Sequence, residues 1–294
     1  MSIYNEPIEW IKDSIESILE QSFTDFEFII VNDNPERKDN EFILNFYKKR
    51  DERILLVKNE QNVGLTKSLN KAKEMALGKY VARMDADDIS HPERFYLQYN
   101  FLESNPNIIL CGSLIYLINE KGKKIRKKRF PLFNEEITHK LVLKNVIAHP
   151  TMFFRNEKYL RYNDQYRYAQ DYDFSTTCLR YGYLANVNKY LLYYRISRQQ
   201  IGSKRIKEQD AYANRIREKY IKYLLSNKYG VDFGDQSSLN EVWALLKKNP
   251  SDQLLCNIFV SASVYLHLFS FSRRVISAFY LKTSLKNRIM LLLR

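Results

Sequence analysis

Residues 79–94 read KYVARMDADDISHPER. The segment KYVARM has the composition of a strand, and it runs directly into Asp85, Asp87 and Asp88. Three carboxylates crowded this way repel one another, in a chain whose formal net charge is +13. Acids gathered at a strand end need either solvent or a cation, and the segments on either side decide between these.

Working back toward the N-terminus, the spacing of Ile8, Ile11, Ile15, Ile18 and Leu19 predicts an amphipathic helix, with Asn5 as its cap and Pro7 in its first turn. FEFIIVN (residues 26–32) is a near-continuous apolar run, as in strands covered on both faces. A helix over about 40–49, a strand in RILLVKN and a helix over about 66–76 follow, and KYVARM is the next strand. This β-α-β-α rhythm predicts a parallel sheet with right-handed crossovers. In such sheets ligands bind beyond the carboxyl ends of the strands, which is where Asp85, Asp87 and Asp88 fall. The bland alternative is a solvated acidic loop or a helix cap. Oxygen-only ligands at a strand end favour a hard cation, Mg2+ or Mn2+, which also takes oxygens from a substrate diphosphate.

Two more strand ends bear on the ligand. FIIVND ends at Asn32 and Asp33, and SIYNE ends at Tyr4, Asn5 and Glu6. A ring for stacking beside a carboxylate and an amide suits a nucleobase. The alternative is that Asp33 opens a turn at Pro35 and Asn5 merely caps a helix.

Working forward, a helix is predicted from Pro92 to about Ser104. IILCGSLIYLI and KIRKKRF form a strand pair around Asn119–Gly122, and HPTMFF is a short strand. DYDFSTTCLRYG is a helix with an N-terminal Asp and a C-terminal Gly, and NVNKYLLYYR is a further strand. The chain divides near Ser203, giving an α/β domain over 1–203 and a helical C-terminal extension over 204–294.

Bulk properties narrow the partners. At 294 residues and 45% hydrophobic the chain is globular, and the pI near 9.4 points to an anionic partner. No nucleic-acid module is recognisable, so nucleic acid is not expected. Cys111, Cys178 and Cys256 are widely spaced, which fits a reducing compartment and argues against a disulfide framework or a zinc cluster. MSIYNEPIEW has no signal-peptide pattern, so a cytoplasmic location is expected.

Taken in order, Tyr4-Asn5-Glu6, FIIVND, NVGLTKSLN, RMDADD, His149-Pro150, AQDYD and LLYYRIS resemble the inverting nucleotide-sugar glycosyltransferases of family 2. The similarity is to the bacterial branch that builds capsule, exopolysaccharide and lipopolysaccharide, of the amylovoran-biosynthesis type, and it spans about residues 2–203. It implies the GT-A fold, a Rossmann-like, mostly parallel sheet flanked by helices. It also implies transfer of a sugar from a nucleotide-sugar, in this reading a UDP-sugar, to a saccharide or lipid-linked saccharide hydroxyl, with Mn2+ or Mg2+ as cofactor. By position, Tyr4 and Asp33 match residues that hold the base, with Asn5 and Glu6 beside them and Ser2 as a further contact. Lys67, accompanied by Asn70, matches a basic residue near the nucleotide, and Arg195 follows the last strand and would face the donor. Asp85 corresponds to a ribose- or metal-facing acid and Asp87 to the metal ligand, with Asp88 as a neighbour or helix cap. Asp171 matches the catalytic base, a role compatible with a place at a helix N-terminus.

Several positions depart from that pattern. Gln170 replaces an acid, Asn32 replaces the first of two acids, and Ser197 stands where a histidine is frequent. His149 is an alternative metal ligand, or else a structural residue before Pro150. Only MSI precedes Tyr4, so either the first strand is short or the start lies upstream. These departures keep open a second function, a catalytically impaired subunit acting as a binding scaffold in a polysaccharide assembly complex. KGKKIRKKR (121–129) carries seven basic residues in nine, either a solvated hairpin or a contact for an acceptor diphosphate or anionic lipid. LLCNIFVSASVYLHLFSF (254–271) approaches the length of a membrane span but is broken by polar residues. Residues 271–294 bear Arg273, Arg274, Lys282, Lys286, Arg288 and Arg294 among apolar residues, a pattern that suits basic helices lying on an anionic membrane surface. Peripheral attachment at the inner face of the cytoplasmic membrane is therefore expected.

Overall fold

The computed structural model describes residues 1–197, 205–232, 236–249 and 251–264. The chain forms two compact units, Met1–Ile216 and Arg217–Arg294.

In the first unit, β1 (Ser2–Ile3), β2 (Phe28–Asn32) and β3 (Ile54–Lys58) form a parallel sheet in the order β1-β2-β3. Every residue of β2 is buried, because helices cover both faces of the sheet. On one face Ile11, Ile15 and Ile18 of α1 (Ile8–Leu19) join Ile43 and Leu44 of α2 (Lys38–Lys48) over Ile3, Ile30 and Ile54. On the other face Ala72 of α3 (Leu65–Met75) packs on Ile29 and Val31. The periodicity reading of these elements thus holds. Asn5, expected as the cap of α1, does not cap it. Pro7 occupies that position with no side-chain cap, and Asn5 Oδ1 accepts from Asn34 Nδ2 at 2.7 Å instead. Asn5 lies too far ahead of the helix to reach its second or third N–H.

The second sheet is mixed and runs β4-β8-β6-β9-β5, with β7 attached to β6. Its strands are β4 (Tyr80–Ala82), β5 (Ile89–Ser90), β6 (Ile108–Ile118), β7 (Lys124–Lys128), β8 (Phe153–Arg155) and β9 (Tyr183–Arg195). β6 is parallel to β9 and antiparallel to β7 and β8. The strand leading to the acids was expected in the parallel set, but β4 pairs antiparallel with β8, Tyr80 opposite Arg155 and Ala82 opposite Phe153. The pairing is therefore parallel in the first sheet and mixed in the second. Gly112 is fixed by close approach, since a Cβ there would collide with the side chains of Asn186 and Ile147.

Around this sheet lie α4 (Arg94–Glu103), α5 (Asn134–Leu141) and α6 (Gln170–Cys178). α5 was not anticipated; only Ile137 and Leu141 are buried along it, too few to show a helical stripe in the sequence. His149–Thr151 is a 3-10 turn, so HPTMFF is a strand only from Phe153. α6 ends at Cys178 with Leu179 as its cap, so Gly182 is not its terminator.

The helix α7 (Ile206–Leu224) contains the division between the units. In the second unit α8 (Gln236–Lys248) and α9 (Gln253–Val264) are helical, and Leu254, Leu255, Ile258 and Phe259 of α9 are buried. Asp252 caps α9, its Oδ1 accepting from the N–H groups of Leu254 and Leu255 at 2.9 and 3.0 Å. No helix among the described residues is long and apolar enough to cross a membrane. The boundary near Ser203, residues 265–271 of the stretch 254–271 and the whole of the basic stretch 271–294 fall outside the described residues.

Candidate active site

Asp85, Asp87 and Asp88 follow β4 and converge. Each can offer one oxygen such that the three oxygens lie within 4.8 Å of one another. Glu6, reached from the end of β1, adds a fourth charge to this region. Burial and then the negative charges of Asp85 and Glu6 push the carboxyl of Asp87 up to about 7. Burial also raises Glu6. Asp88 is the surprise: it is fully buried (0% exposed), it is not a surface helix cap, and burial followed by its two neighbouring aspartates raises it well above the usual carboxylate range. Its Oδ1 accepts from the main-chain N–H of Arg195 at 2.8 Å, while its Oδ2 is buried with no hydrogen-bond partner.

Two buried arginines flank the acids. Arg83, 4% exposed, pairs through Nη2 with Asp85 Oδ1, and its Nε and Nη1 have no partner. Sequence reasoning passed over Arg83. The available signal was its spacing, because residues two apart in an extended chain point to one side. Arg195 was expected to face the donor. Instead it is 1% exposed and spent on the protein: Nε donates to the Asp87 carbonyl at 2.7 Å, Nη1 to the Glu120 carbonyl at 2.9 Å and Nη2 to Asp13 at 2.9 Å. It braces the acidic loop from behind.

At their carboxyl ends β1 and β2 bring Tyr4 and Asp33 together, with the Asp33 N–H bonded to the Ile3 carbonyl at 2.8 Å. Tyr4 is 42% exposed, and its N–H donates to Glu6 Oε2 at 2.8 Å. Asp33 is buried and organises the loop after β3. Its Oδ1 accepts from Asn59 Nδ2 at 2.8 Å and the Val63 N–H at 2.9 Å, and its Oδ2 from the Gly64 N–H at 2.9 Å. Gly64 sits at φ +87°, a region that favours glycine. Ser2 lies in β1 opposite Val31. Lys67 is exposed on α3. Asn70 is engaged elsewhere, exchanging two hydrogen bonds with the backbone of Tyr162 at 2.8 and 2.9 Å.

Asp171 lies in the first turn of α6 and was not needed as its cap, which is Ala169. Its Oδ2 accepts from Asn145 Nδ2 at 2.8 Å. Burial raises its carboxyl, and the Asn145 hydrogen bond works against that rise. Asn145 was not visible in the sequence as a site residue. Its own Oδ1 accepts from the Ile147 N–H at 3.2 Å and Ser175 Oγ at 3.3 Å, which fixes the carboxamide. Just before α6, Tyr168 adopts φ 71°, a strained left-handed conformation. Gln170 is buried with Oε1 unpaired. The Nε2 of His149 lies 3.0 Å from the Tyr162 hydroxyl, and burial, with Arg83 nearby, holds its imidazole well below its usual pKa.

The residues present fit a divalent cation. The donors are all carboxylate oxygens, which suits Mg2+ or Mn2+. The buried, partnerless Asp88 Oδ2 is the kind of orphaned acceptor that an ion would satisfy.

Comparison with known proteins identifies the family and the fold. A glycosyltransferase of Methanocaldococcus jannaschii, itself uncharacterized, is 39% identical over 219 residues, 72% of this chain and 75% of that protein. The amylovoran biosynthesis glycosyltransferase AmsE of Erwinia amylovora is 31% identical over 209 residues, 70% of this chain and 78% of its own length. Among solved structures, S. aureus TarS 1–349 in complex with UDP-GlcNAc aligns with a TM-score of 0.55 at 16% identity, covering 90% of this chain and 91% of TarS 1–349. The mannosyltransferase PcManGT of Pyrobaculum calidifontis, in complex with GDP-Man and Mn2+, gives 0.56 at 11% identity and covers 99% and 82%. These two likenesses establish the glycosyltransferase fold expected from the sequence. The model of "Glycosyl transferase family 2" matches residues 1–162, from β1 through the acidic cluster and β8. The chain therefore belongs to glycosyl transferase family 2, and it is a glycosyltransferase.

Proposed function

We propose that the protein is an inverting transferase that moves a sugar from a UDP-sugar to a hydroxyl of a lipid-linked surface-polysaccharide acceptor, at the inner face of the cytoplasmic membrane. The observation that carries this reading is the convergence of Asp85, Asp87 and Asp88 at a strand end beside a partnerless buried carboxylate oxygen. The UDP-sugar is supported by the complex of TarS 1–349, and the polysaccharide acceptor by the name of the E. amylovora relative.

Each residue then has a task. The exposed ring of Tyr4 offers a stacking face for the base. Asp33 accepts three hydrogen bonds and keeps lone-pair capacity for a fourth, from a base N–H. Asp85, Asp87 and Asp88 would hold Mn2+ or Mg2+, which when bound offsets charge developing on the departing diphosphate. Asp171 takes the proton of the acceptor hydroxyl as that oxygen attacks the face opposite the leaving group, which inverts the anomeric centre. Its raised pKa makes it a stronger base, and Asn145 fixes the oxygen that does not receive the proton.

The test is a panel of nucleotide-sugars scored for metal-dependent thermal stabilisation and for donor turnover. Asp171→Asn is expected to lose turnover by roughly 10²–10⁴-fold while keeping the donor-induced stabilisation. Unchanged turnover would remove Asp171 as the base. A second reading, a scaffold subunit without catalysis, is favoured by Gln170 standing in place of an acid with its Oε1 unpaired. It requires donor stabilisation with no turnover in the unaltered protein.

A further inference from the structure

The basic stretch 121–129 has no task in the transfer reaction. All five residues of β7 are exposed. No acidic side chain among the described residues pairs with Lys121, Lys123, Lys124, Arg126, Lys127, Lys128 or Arg129. Although Lys128 is exposed as a residue, partial cover of its ammonium, and then the charges of Arg126 and Lys144, lowers that group below its usual value. An array of like charges this dense calls for an anionic counterpart.

Ring contacts with the neighbouring strands place the cations of this strand. Tyr116 of β6 is flanked by two rings of β9, Tyr190 at 4.8 Å and Tyr193 at 5.3 Å between centroids, the latter nearly parallel at 14°. Lys124 Nζ lies 4.6 Å from the Tyr116 centroid and 5.0 Å from that of Tyr193. Lys127 Nζ lies 5.3 Å from Tyr190, and Arg129 Nε donates to the Tyr190 hydroxyl at 3.2 Å. Cation–π contacts thus position the charges without neutralising them. The rings are used up by one another and by the lysines. They leave no open aromatic platform of the kind that single-stranded nucleic acid stacks upon. Ile125, 56% exposed, stands among the cations, and Phe133, 74% exposed, follows shortly after the strand. Apolar side chains set within a cationic strip suit the headgroup region of a bilayer better than a soluble polyanion.

We infer that β7 and the adjoining β6–β9 tyrosines form a docking surface for the anionic headgroups of a lipid membrane. This deepens the peripheral placement proposed above. It is read by binding alone, so it stands or falls separately from the transfer reaction.

The experiment is flotation of the full chain with phosphatidylcholine vesicles, with and without phosphatidylglycerol. The unaltered protein is expected to partition onto the anionic vesicles and to be released by salt. Lys124→Gln/Arg126→Gln/Lys127→Gln is expected to weaken that partitioning on the order of 100-fold, at the usual contribution per basic residue near an anionic leaflet. Lys123→Gln/Arg126→Gln, which disturbs no ring contact, is expected to weaken it roughly 30-fold, with donor hydrolysis unchanged as the check on folding. Partitioning undiminished in the second variant overturns the inference. So does equal binding to phosphatidylcholine alone, or tighter binding of single-stranded RNA that the same substitutions abolish.

Discussion

Asn145 donates its side-chain N–H to Asp171 Oδ2 at 2.8 Å, joining the loop after α5 to the first turn of α6. The same carboxamide accepts from the Ile147 N–H and Ser175 Oγ, so its orientation is not free. Asn145→Asp keeps those two acceptor contacts but places a second carboxylate against Asp171. A like charge disfavours ionisation, so the Asp171 carboxyl, already raised by burial, rises further. The acid limb of the pH–rate profile of donor turnover is expected to move upward by about 1 unit or more. Asn145→Ala removes the stabilising hydrogen bond and is expected to move it in the same direction by less. A profile unmoved in both variants would make Asn145 a packing residue only.

The loop that Asp33 organises depends on Gly64. Its N–H reaches Asp33 Oδ2 from φ +87°, and an added Cβ would meet nothing within 4 Å. The cost of Gly64→Ala is therefore conformational and not steric, about 1–3 kcal/mol, because φ 87° with ψ 159° is a region essentially reserved for glycine. A fall in Tm of several degrees is expected by calorimetry. Nucleotide-induced stabilisation should weaken with it, because Asp33 would lose a donor that orients it.

Arg195 separates a brace from a ligand contact. Arg195→Ala strips donors from the Asp87 and Glu120 carbonyls and from Asp13, and leaves a cavity beneath Trp10, whose ring centroid lies 5.0 Å from the guanidinium. A loss of about 2–4 kcal/mol in denaturant unfolding is expected, the range for disrupting a buried network. A residue whose only task was to contact donor would instead raise KM and leave the unfolding midpoint unchanged.

The acids make the stability of the metal-free protein depend on pH with a definite sign. Asp87 titrates at about 7 in the fold, against about 4 in an unfolded chain. Between those values the folded state holds more protons than the unfolded one, so stability falls as pH rises across that window. Asp88 is displaced in the same direction. A divalent cation binds the ionised form, so its stabilising effect should grow over the same interval. Thermal melts in EDTA and in Mn2+ from about pH 4 to 8 are expected to diverge with rising pH. A constant gap would mean that the cation does not bind these carboxylates.

Much of this architecture was legible because local rules and tertiary packing agree. The 3.6-residue stripe of α1 and the unbroken apolar run of β2 each betray the faces they bury. The short β4 misled: three residues carry no information on partner or direction, and β8, about seventy residues later, sets both. Asp85 and Asp87 stood out as candidates by their place beyond a strand end, whereas Asp171 stood out only through the family resemblance, since an acid at a helix start is also common as a structural residue. Arg195 was legible as important but not as a brace, because a guanidinium carries the same donors whether it meets a phosphate or a carbonyl.

The sequence by itself determined the alternation of strands and helices, the placement of three acids beyond a strand end, and the excess of positive charge in 121–129. Those follow from periodicity and composition, which act over a few residues. Only the tertiary structure decided that Asp88 is fully buried with one oxygen unmatched, that the Arg195 guanidinium is bonded to the acidic loop, and that Asn145 reaches Asp171. Each of these pairs residues distant along the chain, and burial and hydrogen-bond partners at that range are set by packing.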